Sequence, residues 1–490
     1  MKLKVMAMTA ACAMAFCAVP FASVQSDNTA VLVASAASAQ EFNIPVTLQH
    51  HDNPENKSMG NPALVQMGKI VVDASGNATL QLTFQSMTYL GQKGYLGFLN
   101  KVTSNGMIPA TVIDTYTDFY DSFNNEDLDT YQNVLKSRLK DGWYPKTVSI
   151  PLDSSDVKYD ASGKVIGVNT NRIEVQVYVP VMESINAGGG YQYAYLDVRD
   201  CLFTGSSAIL DGSVTMKNYI NVSDAYIGSD ATVQISTGDG RSDTITLSDL
   251  TAGNEANQYY VSTKLPAKDM NTALTGVITS SDGSELETFT TNFATYARTL
   301  SKSVDATEEQ KALAAELLNY GSRAQVYFNY NYTGDEKELA NDGLASKRKD
   351  TYTSVTSEDL ASYTYETSGT LNGLTYGGSS LSLLSDVGIK HYFKLDSGKI
   401  NDHSFVVNGK AQTPQYDETS GMYYVTVSGI SAQNLDADYI VKVDNSYTLT
   451  YCALDYCNTA INQTSKKYNS LKKVAQALYK YWEAAENVSN

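Results

Sequence analysis

The sequence has few of the residues that build disulfide frameworks, metal sites and catalytic centres. It contains five cysteines in 490 residues, two of them in an apolar stretch near the N-terminus. The sparse and odd remainder, Cys201, Cys452 and Cys457, excludes a disulfide scaffold. Four histidines leave few zinc ligands or general bases. The sequence also has no Ser/His/Asp spacing, HExxH motif or phosphate-binding loop, so we expect no enzymatic activity.

Basic residues are scarce relative to acidic ones. The chain has 36 Lys and Arg against 53 Asp and Glu, a net charge of −17 at pH 7. This balance argues against nucleic acid or an anionic membrane as the main partner. Tyrosine is abundant instead, with 35 Tyr against 13 Phe and 2 Trp. A tyrosine ring packs while its hydroxyl stays hydrated. The composition therefore indicates exposed, β-rich modules.

The N-terminus has the pattern of an export signal. Lys2 and Lys4 precede an apolar run over residues 5–22. We expect cleavage soon after Ala22, with Ala37-Ser-Ala39 as a more distant alternative, so that residues 1–39 are signal peptide and leader. At about 18 residues the run is also long enough to stay as an uncleaved membrane anchor, the one membrane contact that we expect.

Residues 41–205 show short alternating stretches separated by turns. Arg172–Val181 alternates clearly and ends before three glycines at 188–190, and a return strand follows over Tyr191–Val198. Such spacing predicts an all-β sandwich or barrel. A polar insertion at about 114–142 is expected to hold a short helix.

The rest of the chain contains an internal repeat. The matched segments are 206–222 with 379–395, and 317–320 with 478–481. Each copy ends in an amphipathic helix, and Thr307 with Gln310 predicts a capping box at the start of the first helix. We predict two α+β modules, at 206–332 and 376–490, with a polar linker at 333–375 between them.

Three segments of the first unit carry residues able to bind a ligand. Tyr191-Gln-Tyr-Ala-Tyr195 places Tyr191 and Tyr195 on one face of a strand, and a phenolate is a donor suited to ferric iron in haem. About 13 Å of regular strand separates the two, so their contact requires a break, which the preceding glycines favour.

The other two segments are a loop and a glycine-rich stretch. Lys57-Ser58-Met59 lies in a polar loop after the first strand, where Ser58-Met59-Gly60 is expected to form a short helical turn. The Ser58 hydroxyl can bond a haem propionate, the Lys57 amine can offset its charge, and the Met59 thioether can pack on a porphyrin. Tyr89–Gly97 is rich in glycine and can line the edge of a pocket. The pair His50-His51, which begins the polar loop, is interpreted as a solvated strand end, and the other interpretation is an alternative ligand pair.

These segments together resemble near-iron-transporter (NEAT) domains, which are immunoglobulin-like β-sandwiches in exported proteins of Gram-positive bacteria. The resemblance is confined to residues 41–205. It implies a haem pocket between a short helix with Ser and Met and a late hairpin with Tyr-x-x-x-Tyr. By motif position, Tyr191 would ligate the haem iron, Tyr195 would hydrogen-bond Tyr191, and Ser58 would contact a propionate. The insertion at 114–142 makes the unit longer than a typical NEAT domain.

The resemblance implies a protein, secreted or at the surface of a Gram-positive cell, that captures haem and passes it on in iron acquisition. Its implied partners are haem, haem proteins and other haem-relay surface proteins. The alternative is a non-catalytic adhesion or protein-binding module that keeps the sandwich without iron. Leu317–Phe328 resembles uncharacterised C-terminal modules of secreted clostridia-type proteins and implies no activity.

Overall fold

The structure is a computed structural model that describes residues 39–488 apart from 90, 118–122, 124–126, 210–213, 239, 305 and 384–386. The predicted signal peptide and leader lie outside the described residues, except for residue 39. As predicted, the fold is mainly β, with several antiparallel sheets. Among the helices that the structure describes, none has the length and hydrophobicity that a membrane crossing needs.

In its described residues, the first unit has one nine-stranded sheet, two two-stranded sheets and a short helix. Its elements are β1 (Gln40–His50), β2 (Met67–Val72), β3 (Ala78–Thr83), β4 (Met87–Tyr89), β5 (Gln92–Gly94), β6 (Phe98–Thr103), β7 (Gly106–Pro109), β8 (Thr111–Thr115), β9 (Pro145–Leu152), β10 (Val157–Tyr159), β11 (Val165–Val168), β12 (Arg172–Tyr178), α1 (Pro180–Ile185) and β13 (Tyr191–Val198). The two-stranded sheets are β4-β5 and β10-β11, and the other nine strands form one sheet in the order β7-β6-β12-β13-β1-β2-β3-β9-β8.

The long strand β1 belongs to both halves of this sheet. Its residues 40–45 pair with β2 and its residues 46–50 pair with β13. Pro45, which has no N–H to donate, stands where the partner changes. Apolar side chains from both halves, including Ile44 and Leu196, are buried in one core. Because apolar residues alternate along the strands, each half has one apolar face, and these two faces pack against each other.

The described part of the predicted insertion packs against Phe98 of β6 and Tyr178 of β12. A single helical turn at Tyr131–Leu135 lies within it, where the sequence predicts a short helix. This segment contributes to a second, aromatic cluster. The cluster consists of Tyr95, Phe98, Tyr131, Leu135, Leu139, Tyr144 and Tyr178.

As far as the structure describes it, the second unit has two four-stranded sheets and two α-helices. Its elements are β14 (Cys201–Ile209), β15 (Val214–Val222), β16 (Thr232–Thr237), β17 (Ser242–Thr246), β18 (Thr251–Ala252), β19 (Gln258–Leu265), β20 (Ala273–Thr279), β21 (Glu285–Asn292), α2 (Phe293–Leu300) and α3 (Glu308–Phe328). The sheet orders are β14-β15-β19-β18 and β17-β16-β20-β21. The predicted capping box of α3 is confirmed, because Thr307 N–H donates to Gln310 Oε1 at 3.0 Å and Gln310 N–H donates to Thr307 Oγ1 at 3.2 Å.

The third unit has a corresponding order of elements. They are β22 (Glu366–Gly369), β23 (Leu374–Ser382), β24 (Val387–Leu395), β25 (Phe405–Val407), β26 (Lys410–Gln412), β27 (Gln415–Asp417), β28 (Met422–Ile430), β29 (Tyr439–Val443), β30 (Tyr447–Tyr451), α4 (Ala453–Ile461) and α5 (Asn469–Val488). The sheet orders are β23-β24-β28-β27 and β22-β30-β29-β25-β26. Apart from the added strand β22, each sheet follows the order of its counterpart in the second unit.

Two predicted boundaries differ from the observed organisation. The first unit ends near residue 200 and not at 205, because β14 pairs with β15 of the second unit. The predicted linker at 333–375 is packed against the helices. Its Leu339 and Leu360 are buried, and Leu360 belongs to the core that the second and third units share. Gln476 of α5 also donates to Val355 O at 2.7 Å.

Candidate ligand-binding cavity

A cavity of about 520 Å³ opens at one end of the first unit. It lies between the loop after β1, the β4–β5 hairpin, and the turn that joins α1 to β13. Its walls are mainly apolar. The apolar lining residues include Leu48, Met59, Phe84, Met87, Leu96, Val177, Val181, Met182 and Ile185. Such a lining suits a ligand with a hydrophobic body.

The loop after β1 is held in place by the buried side chain of Asn61. Its Oδ1 accepts a hydrogen bond from Thr47 Oγ1 at 2.7 Å. The helical turn predicted at Ser58 begins at Asn61 instead. Pro62 is its second residue, a position near a helix start that tolerates proline. Ser58 and Met59 line the cavity. Ser58 Oγ accepts from Gly60 N–H at 3.2 Å, which leaves the hydroxyl proton for a ligand.

Lys57, the third residue singled out in this loop, is not among the residues that line the cavity. Its backbone bridges to Gln49 of β1. The charges that act on its amine are those of Glu287 and Arg199, where the first unit meets the second. Successive side chains of an extended segment point to opposite sides. The loop therefore directs Lys57 away from the cavity that Ser58 faces.

Strand β13 carries its tyrosines on one face, as predicted. Ala194 is buried on the opposite face, whereas Tyr191 and Tyr193 are exposed. Tyr191 and Tyr193 line the cavity, and Tyr195 does not. The ladder between β12 and β13 runs from Tyr191 to Asp197 without a register shift. The structure therefore does not bring Tyr195 to Tyr191, because about 13 Å of regular strand stays between them.

Tyr195 is instead engaged with His51. The two rings stack at 5.2 Å. The imidazole Nδ1 is 3.0 Å from Asp52 Oδ1 and the Nε2 is 3.2 Å from Glu174 Oε1. The hydrogen bond with Asp52 raises the pKa of His51, burial opposes this rise, and Glu174 adds to it.

Two further residues line the cavity: His51, which belongs to the pair interpreted above as a solvated strand end, and Tyr193, to which the motifs assign no role. His51 lines the cavity with its ring 5.6 Å from that of Tyr193. Tyr193 lies on the predicted face of the strand, between the two tyrosines of the motif. His51 directly follows β1, and β1 pairs with β13, so a prediction of that pairing would have placed both residues together.

Tyr191 stands beside the aromatic cluster on the outer face of the half-sheet. Its ring centroid lies 4.6 Å from that of Tyr178 and 6.1 Å from that of Phe98. Tyr191 is 43% exposed and Tyr178 is 1% exposed. Burial raises the pKa of Tyr178 to about 12, and the charge of Glu183 adds to the rise. The site thus places an accessible phenol next to a buried one.

The cavity fits haem in two respects and departs from an ideal haem site in a third. Its apolar walls suit a porphyrin, and Tyr191 offers an accessible phenol oxygen for ferric iron. None of the lining residues that the structure describes is Lys or Arg, so propionates would have to stay near solvent. Within the described ranges no three or more His, Cys, Asp and Glu residues form a metal-holding group. Tyr191 is therefore one of several lining residues, with Tyr193 and His51, that carry a donor atom for iron.

No protein-family model matches the chain, and no curated protein matches it. Among solved structures, the chain is similar to a tetra-tandem repeat in the extending region of a large adhesion protein. The identity is 10%, the match covers 84% of this chain and 88% of that chain, and the TM-score is 0.13.

Proposed function

We propose that the chain is an exported, non-catalytic haem-binding protein whose first unit is a NEAT-like, immunoglobulin-like sandwich. One observation carries the proposal. Ser58 and Met59 lie far from Tyr191 in the sequence, yet all three line one mainly apolar cavity. Two motifs from distant parts of the sequence are thus neighbours in space. This arrangement favours the capture of haem at a surface or in the medium and its transfer to a partner.

Each of these cavity residues would contact a different part of the haem group. Haem, when bound, supplies a ferric iron that takes an anionic oxygen ligand. Tyr191 would provide that oxygen and release its phenol proton to solvent. Ser58 would donate to a propionate and Met59 would pack against the ring. A single protein ligand beside an open mouth suits transfer, because a receiving protein can approach the bound group.

A haemin titration of the full chain tests the proposal. We expect a saturable shift of the Soret band, and we expect Tyr191→Phe to change the spectrum and to weaken binding by at least about tenfold. Tyr193→Phe is the matched control, since it removes a phenol from the same face and the same cavity. A wild-type protein without a saturable shift would rule out haem binding. Unchanged binding by Tyr191→Phe would rule out the assigned ligand.

We further propose that the second and third units are copies of one module, and their surfaces favour the alternative function of adhesion. The Nζ of Lys217 lies 4.1 Å from the ring centroid of Tyr260, and that of Lys390 lies 4.3 Å from the centroid of Tyr424. The same cluster thus recurs on both units. Tyrosine-rich surfaces are typical of protein interfaces. Failure of the haemin titration would make this the leading function.

A further inference from the structure

We infer that the second and third units each carry a site for an acidic polysaccharide, on the outward faces of the matched sheets β14-β15-β19-β18 and β23-β24-β28-β27. The inference deepens the adhesion proposed above for these two units and does not depend on haem. Each face combines a lysine and a tyrosine of the central strand with a serine and a second tyrosine of the neighbouring strands. These residues, here called the tyrosine–lysine face, are Ser207, Lys217, Tyr219 and Tyr260 in the second unit and Ser380, Lys390, Tyr392 and Tyr424 in the third.

Strand register brings the four side chains of each face together. In the second unit Lys217 is paired with Ser207, and Tyr219 is paired with Tyr260. The third unit has the same two pairs at its matched positions. Paired residues, and residues two apart on a strand, point to the same side of a sheet. The two tyrosine ring centroids are 5.6 Å apart in both units, and all eight residues remain partly exposed.

The repeat keeps this outward arrangement although the core side of the same strands differs. The core-facing residues of the central strands are Met216, Asn218 and Ile220 in β15 and Ile389, His391 and Phe393 in β24. Between them, Lys217 and Tyr219 are identical to their counterparts, whereas positions 215 and 221 at the ends of β15 differ from 388 and 394. Packing of the core does not require a partly exposed lysine and tyrosine at the centre of a face. A shared ligand accounts for both.

Each face presents a positive charge. Within the described residues, no carboxylate forms an ion pair with Lys217 or Lys390, although Asp417 is near enough to interact with Lys390. The two ammonium groups lie over tyrosine rings instead, at 4.1 and 4.3 Å from the centroids. Lys264, on the same side of β19 as Tyr260, adds a second positive charge. In a chain of net charge −17 these faces are local positive regions, which complement a carboxylate that accepts charge-assisted hydrogen bonds.

The other groups on the faces suit a saccharide better than a protein. Ser207 Oγ lies 3.0 Å from Tyr219 Oη, and the matched serine and tyrosine of the third unit are 3.4 Å apart. The residues paired with Lys217 and Tyr219 are serine, glycine and tyrosine, with no aliphatic side chain among them. Lysine and serine are depleted in the cores of protein interfaces. Hydroxyls beside tyrosine rings can bond sugar hydroxyls and pack on sugar rings, and two equal sites suit a polymer of repeating units.

Isothermal titration calorimetry of the full chain tests the inference. The probes are short oligogalacturonate and oligoglucuronate, their carboxyl-reduced neutral forms, and oligoglutamate. We expect saturable binding of at least one acidic oligosaccharide at two sites per chain, with an affinity that falls as ionic strength rises. The neutral forms should bind at least about tenfold more weakly, because they lack the carboxylate that the ammonium would bond.

Two lysine variants assign the sites. Lys217→Gln and Lys390→Gln should each weaken one site by at least about tenfold, and the double variant should weaken both. Lys302→Gln removes the same charge from an exposed position after α2 and should bind like the wild type. Equal melting temperatures would show that the variants keep the fold.

The remaining outcomes separate this inference from the proposed functions. Binding of oligoglutamate in place of both acidic oligosaccharides would overturn the saccharide ligand and leave adhesion to an acidic protein. Oligosaccharide binding that neither lysine variant weakens would overturn the assignment to the tyrosine–lysine faces. Absence of saturable binding of both acidic oligosaccharides would overturn the inference as a whole. None of these results changes the haemin titration, which tests the first unit alone.

Discussion

His391 lies fully buried in the third unit with one of its ring nitrogens unsatisfied. Its Nδ1 is 2.7 Å from Ser379 Oγ, and its Nε2 meets no hydrogen-bond partner among the described residues. The ring of Tyr451 lies edge-on at 5.2 Å, and the hydroxyl of Tyr376 is 2.6 Å from the same Ser379 Oγ. Burial lowers the pKa of His391 to about 4. The folded chain therefore keeps this imidazole neutral.

Acid should destabilise the third unit through this histidine. The pKa of His391 in the folded state, about 4, lies below its ordinary value of 6.5, so the unfolded chain binds the proton first. Stability is full above about pH 6.5 and falls by about 1.4 kcal/mol per pH unit down to about pH 4. Asn218 occupies the position of the second unit that matches His391 in the internal repeat. His391→Asn introduces that residue and should make stability less dependent on pH between about pH 4 and 6.5. Urea denaturation at two pH values measures it, and equal acid losses in both proteins would contradict the prediction.

Individual site residues could be predicted from the sequence only where a local pattern identifies them. Tyr191, Ser58 and Met59 stand in recognisable motifs, and all three line the cavity. Tyr178 could not be found in this way, because its partnership with Tyr191 depends on which strands pair and in which register. Lys57 was assigned to the cavity because it neighbours Ser58, but the alternation of an extended segment turns its side chain to the other side.

At the scale of the element, the turn between α1 and β13 sets the position of Tyr191. Glu183 of α1 accepts hydrogen bonds from the N–H groups of Gly188 and Gly190 in this turn. Its carboxylate thus serves these two donors in place of a backbone carbonyl. An added Cβ at Gly190 would lie 2.7 Å from Glu183 Oε2 as well as from the Tyr178 ring. Gly188 has a φ of +82°, and a Cβ added there would meet no described atom within 4 Å. The two glycines are thus needed for different reasons.

Alanine at these two positions should have different consequences. Gly190→Ala crowds Tyr178 and should cost about 1–3 kcal/mol of stability, and it should also weaken ligand binding because Tyr191 must shift. Gly188→Ala forces a left-handed backbone on alanine at a cost of about 1–2 kcal/mol, without changing the cavity. Urea denaturation gives the stability of each variant, and a haemin titration gives its affinity. Equal affinities in the two variants would show that the turn does not position Tyr191.

Elements with strong local signals were predicted better than their boundaries. The long helix α3 and its capping box follow from sequence periodicity and one Thr–Gln pair. The predicted end of the first unit lies a few residues late, because β14 continues the alternating pattern of β13. Its pairing with β15 of the second unit depends on the three-dimensional fold and is not visible in that pattern. Likewise, the polar composition of 333–375 predicted a linker. Its sparse leucines are nevertheless enough to anchor it in the core.

At the scale of the whole molecule, the second and third units share one core built around α3 and α5. Tyr320 and Tyr481 stack there at 5.8 Å with nearly parallel rings. These are positions that the internal sequence comparison pairs. Equivalent residues meet each other where two copies are related by a two-fold axis. We therefore propose that the two modules form an internal pseudo-dimer and are not independent domains joined by a linker.

This arrangement predicts that damage to one helix loosens both modules. Tyr320 is 2% exposed, and Tyr320→Ala should cost about 3–5 kcal/mol, the range for truncating a buried aromatic residue. Tyr327→Ala on the same helix is the control, because Tyr327 is 40% exposed. Hydrogen exchange followed by mass spectrometry should show faster exchange in Tyr320→Ala over α5 as well as α3, and in the sheets of both units. If the change stayed within residues 201–328, the two modules would be energetically independent, since a shared core transmits the loss of packing to both of its halves.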